Sequence, residues 1–128
     1  MYFIGNLVAL LLASSGSQAG DYTQQTPARL LRPIAALVTS RDYPAAARAR
    51  GEQGLVGFEV EISEQGRAVG CTVVATSGSR SLDETTCRIV RARGQFLAAR
   101  DMHGRAVTSL YRGSLTWLLK GRSNAPVS

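Results

Sequence analysis

Histidine and lysine are nearly absent from these 128 residues: His103 and Lys120 are the only ones, and every other cationic side chain is arginine. One histidine and two cysteines cannot supply the four ligands of a structural zinc site, so no metal is expected. Aromatic residues make up 6% of the chain, too few to suggest the stacking platforms of a single-strand nucleic-acid binder. There is no G-x-S-x-G elbow, no C-x-x-C redox pair and no internal repeat. Long apolar runs are missing too. The longest, Tyr2 to Ala13, falls well short of the roughly 20 residues a membrane-crossing helix needs.

That short run lies in a stretch, 1–19, without any charge, and is followed by small residues ending Ser17-Gln18-Ala19. Small side chains at those positions suit a signal peptidase, with Gly20 as the new N-terminus. Residues 1–19 therefore read as a secretory signal or a short N-terminal anchor, although the usual basic residue before the apolar run is missing. Export places the two cysteines in an oxidising compartment. A bridge between Cys71 and Cys87 would close a loop of about 15 residues, for which chain entropy contributes about 3 kcal/mol.

The net charge of +6 suits an acidic partner or an anionic membrane, and nucleic acid ranks below both for an exported chain. Length allows one domain. Residues 20–40, with Pro27 and Pro33, read as an extended linker, 41–120 as the folded domain and 121–128 as a flexible tail. Asp42 is expected to cap a short helix that begins at Tyr43-Pro44 and stops at Gly51. Val56, Phe58, Val60 and Ile62 then alternate with Gly57, Glu59, Glu61 and Ser63, the signature of a half-buried strand. "SEQGR" makes a turn with Gly66 at a positive φ, and the returning strand puts Val69, Cys71, Val73 and Ala75 on one side.

Ser81 with Glu84 forms a capping box for a helix whose Leu82, Thr86, Ile89 and Val90 share one face, before Gly94 stops it. Cys87 lies at the margin of that face, within reach of Cys71. After the "DMHGR" turn, Val107, Tyr111, Leu115 and Trp117 alternate on a last strand. The order α-β-β-α-β predicts a two-layer α+β domain, with one main helix on one face of a small three-stranded antiparallel sheet.

No catalytic constellation emerges, and an enzyme is not expected. His103 reads as a turn residue beside Asp101, Ser77-Gly78-Ser79 as a tight connection, and Glu59 with Glu61 as the solvated side of a strand. Arg88, Arg91, Arg93, Arg100 and Arg105 form a basic surface.

A set of residues in order and spacing resembles the C-terminal domain of the TonB family. It comprises Tyr43-Pro44 with Ala47; Gly54, Val56, Phe58, Val60 and Gly66; Val74, Ser77-Gly78 and Leu82-Asp83; and Phe96, Ala99, Gly104 and Val107. The family's usual proline before the alanine that matches Ala99 is Ala98 here. The resemblance implies a periplasmic energy transducer that engages outer-membrane TonB-dependent transporters, without catalysis or cofactor. The transporter's TonB box would add as a strand beside Thr108 to Trp117, facing Thr108, Leu110, Arg112, Ser114 and Thr116. ExbB and ExbD would be further partners if the chain is anchored. The residues leave a second reading open: a structural envelope protein that forms a homodimer through its sheet edges, without transporter binding.

Overall fold

A computed structural model describes residues 26–119; the segment read as a signal or anchor, the start of the stretch read as a linker and the residues read as a tail lie outside them. The centre of the molecule is the alternating stretch read as the first strand. It is the second in chain order, because a short strand β1 (Arg29–Leu30) precedes it. This β2 (Gly54–Ile62) buries Val56, Phe58, Val60 and Ile62 almost completely, because period-two alternation sends all four to the face that the main helix covers. It pairs antiparallel on one side with β3 (Ala68–Ala75) and on the other with the last strand, Ser109–Trp117, giving a three-stranded sheet with β2 in the middle. The predicted α+β architecture is therefore present.

The β2–β3 turn needs its glycine. Gly66 has φ +81°, and a Cβ there would lie 2.3 Å from the Phe96 carbonyl oxygen. Pairing between β2 and β3 shifts register twice, between Gly57 and Phe58 and between Glu61 and Ile62. Each shift changes which residues of β3 face inward. Ala68, Cys71 and Val73 pack on the core, whereas Val69 is exposed and Ala75 sits opposite Gly57 on the outer face. The expected inward set is correct for Cys71 and Val73 and wrong for Val69 and Ala75, since simple alternation cannot register a bulge.

One short helix and one main helix were expected, and both are present with different caps. The first, α1 (Ala45–Ala49), follows Pro44, while Asp42 closes a preceding 3-10 turn and accepts the Thr39 N–H at 2.7 Å. The main helix α2 (Arg80–Arg93) is capped by Ser79, whose hydroxyl accepts from the Leu82 N–H at 3.3 Å. Ser81 is not the cap. Asp83 draws the chain back instead, accepting from Ser77 N–H, Ser77 Oγ and Thr76 Oγ1. Leu82, Thr86, Ile89 and Val90 are buried, as the helical period predicts.

Past α2 run three two-residue strands: β4 (Phe96–Leu97), β5 (Ala99–Arg100) and β6 (Ala106–Val107). β5 and β6 form a hairpin across the 101–105 turn, and β4 pairs with β1. The latter pairing departs from the linker reading. Residues 26–38 are packed on the domain: Thr26 bridges Arg100, Ala28 is buried, and Ile34, Leu37 and Val38 lean on the core. Prolines at 27 and 33 suit an extended strap as well as a free tether; its apolar residues decide in favour of the strap.

Cys71 and Cys87 form a disulfide between Cα atoms 5.6 Å apart, joining β3 to α2. The expected bridge is present.

A candidate binding edge on the last strand

The last strand, β7 (Ser109–Trp117), runs along one margin of the sheet. Its pairing with β2 is unbroken over nine residues, from Gly54 opposite Trp117 to Ile62 opposite Ser109. The inward side chains hold it from beneath. The Trp117 indole N–H donates to Thr86 Oγ1 at 2.8 Å, and that hydroxyl donates to the Leu82 carbonyl at 2.8 Å. Tyr43 meets Trp117 edge to face with centroids 5.3 Å apart, and Phe96 meets Tyr111 at 5.2 Å. The Phe58 ring occupies the space that a Cβ at position 113 would take, at 2.8 Å, which is why Gly113 sits in mid-strand.

Locked on its inner face, β7 turns Leu110, Arg112, Ser114 and Thr116 outward, all exposed, and Thr108 is exposed just before the strand begins. All five residues expected to face outward do so. Arg112 is already engaged: its Nε donates to Glu59 Oε2 at 2.8 Å across the β2–β7 pair, with the arginine side chain 75% exposed. No described strand pairs with the free side of β7. Leu55, exposed on β2 opposite Thr116, adds apolar surface beside that row. It is the residue out of phase with the buried alternation, which is the signal by which sequence could have found it.

The other expected residues separate. His103 lies exposed at the tip of the β5–β6 turn, where its backbone N–H donates to Asp101 Oδ1 at 2.8 Å. The N–H of Arg105 binds the same oxygen at 3.0 Å, and these bonds hold the Asp101 carboxyl below its ordinary range, Arg105 contributing most. Ser77 and Ser79 are occupied by the start of α2, Ser79 Oγ also donating to Glu52 at 2.7 Å. Of the basic surface, Arg93 pairs with Asp42 and Arg105 with Asp101, while Arg100 donates to the Gly104 carbonyl.

The sequence pattern of the C-terminal domain of the Gram-negative bacterial TonB protein matches residues 39–118, more than half of the chain. The chain belongs to the TonB C-terminal domain family. Among solved structures it is similar to the Helicobacter pylori TonB C-terminal domain in solution, at 20% identity and a TM-score of 0.51 over 68% of this chain and 78% of that one. It is also similar to the Pseudomonas aeruginosa TonB C-terminal domain in solution, at 26% identity and a TM-score of 0.50 over 74% and 89%. No curated protein sequence matches it. The TonB match covers α1, the three-stranded sheet and α2, so the edge strand β7 lies inside the family's region.

Proposed function

We propose that this TonB C-terminal domain acts in the periplasm by binding an extended segment of an outer-membrane TonB-dependent transporter along the free side of β7, without catalysis or cofactor. One observation carries the reading: a nine-residue strand, paired without a register shift to β2, stands at the margin of the sheet with its outer backbone groups unpaired by any described segment. Strand addition uses such a margin, main-chain bonds supplying affinity and the exposed row of Thr108, Leu110, Arg112, Ser114 and Thr116 supplying selectivity. The opposite margin is a poorer template. β3 carries two register shifts in eight residues, and bulges interrupt the regular spacing that an incoming strand must match. The same argument weighs against a homodimer built through both edges. Whether ExbB and ExbD act on the chain depends on the segment 1–19.

The test is nuclear magnetic resonance titration with peptides from transporter N-terminal regions. Amides of 108–117 should shift and gain protection from exchange, while those of 68–75 stay unchanged. Shifts confined to 68–75, or none at millimolar peptide, would defeat the reading.

A further inference from the structure

A second surface, independent of β7, is a cleft of about 750 Å³ bounded by the C-terminal turn of α2, the β2–β3 turn and the N-terminal strap. Four arginines line it, Arg32, Arg67, Arg91 and Arg93, and no aspartate or glutamate does. Arg93 is already spoken for. Its two terminal nitrogens donate to the two Asp42 carboxylate oxygens at 2.8 Å each, and one also reaches the Leu37 carbonyl. The other three have no carboxylate partner among the described residues: Arg32 reaches only the Ala36 carbonyl, at 3.5 Å, and Arg67 and Arg91 make no side-chain hydrogen bond there.

These three arginines come from three separate segments of chain, so no helical or strand period accounts for their lining one cleft; Arg91 also borders a smaller pocket beside Asp83 and Glu84. The carbonyl end of α2 contributes only about half a negative charge, far less than three cations. The walls are fixed in advance. Gly66 is pressed against Phe96, whose N–H donates to the Gly66 carbonyl at 3.3 Å, and the strap is anchored by β1–β4 pairing and by the Leu31 N–H donating to the Gln95 carbonyl at 2.8 Å. A built cleft of this volume is of small-molecule size.

We propose that this cleft is a binding site for a small ligand carrying two or more phosphate charges. A single carboxylate would satisfy one guanidinium and leave two. A diphosphate or a phosphorylated headgroup presents enough oxygens for several planar forks at once, the geometry in which arginine outperforms lysine.

The test is calorimetric titration of the full chain with inorganic pyrophosphate, repeated on two double variants that lose equal charge. Arg67→Gln with Arg91→Gln removes cleft arginines; Arg41→Gln with Arg88→Gln removes exposed arginines outside the lining. The cleft pair should weaken binding at least about tenfold and the outside pair by less than about twofold, both with the thermal unfolding of the parent. Arg67→Lys with Arg91→Lys keeps the charge but loses the forks, and should fall between them. Sedimentation with vesicles containing phosphatidic acid separates the sources. Vesicle binding lost in the cleft Gln pair assigns a lipid headgroup, and pyrophosphate binding without vesicle binding assigns a soluble ligand. The proposal is overturned if neither probe binds saturably, if both Gln pairs weaken binding equally, or if single-stranded DNA is the only probe that the cleft pair loses.

Discussion

Opening the Cys71–Cys87 bridge tests how the two layers are held together. The bridge spans 16 positions of sequence and joins the outer strand β3 to the middle of α2, with Cys87 94% buried by its 6% exposure. Closing a loop of this length removes chain entropy from the unfolded state worth about 3 kcal/mol. For a domain of under a hundred described residues, that corresponds to a fall in melting temperature of roughly 12–24 °C. Reduced wild type retains both sulfurs, so it should show the loop effect alone. Cys71→Ala with Cys87→Ala should lose about 1 kcal/mol more, because a buried sulfur leaves a methyl-sized void behind. Thermal unfolding followed by circular dichroism, with and without reductant, measures both. A reduced protein that melts within about 4 °C of the oxidised one would refute the reasoning, since the loop would then be contributing less than 1 kcal/mol.

Three further outcomes follow from the core and its margins. Thr86→Val should strand the Trp117 indole N–H in a buried site at a cost of about 1–3 kcal/mol, with Thr86→Ser closer to wild type, read by urea unfolding. Gly66→Ala should destabilise by roughly 1–3 kcal/mol, as the positive φ and the Phe96 carbonyl both oppose a Cβ; an unchanged urea midpoint would contradict this. Asp42 is held well below the usual carboxylate range, first by the Arg93 hydrogen bonds and then by the Thr39 N–H. Because its folded pKa lies below its unfolded one, the stabilisation is complete above about pH 4 and is lost as pH falls below it. The stability gap between wild type and Asp42→Asn should therefore be constant from about pH 5 to 7 and shrink in more acidic solution; a gap that widens there would show the sign to be wrong.

The alternation of Val56, Phe58, Val60 and Ile62 and the helical spacing of Leu82, Thr86, Ile89 and Val90 determined the layers by themselves, because each burial pattern can be satisfied by only one element type. The bridge was legible as well, since Cys71 fell on the expected inward side of the returning strand and Cys87 at the margin of the helix's apolar face. So was the outward row of β7, as the complement of its buried residues.

Tertiary structure alone decided the rest. Ser79 displaced Ser81 as the cap of α2 because Asp83 pulls Ser77 and Thr76 inward. The bulges of β3 turned Val69 out, and the strap 26–38 found its partner in β4, where Arg29 pairs with Leu97 and Leu30 with Phe96, nearly seventy residues away along the chain. The cleft arginines come from three separate segments, the strap, the β2–β3 turn and the end of α2. Periodicity is a local property and fixes which side of an element is buried; caps chosen among neighbouring serines, register shifts and pairings between remote segments depend on contacts that no local window contains.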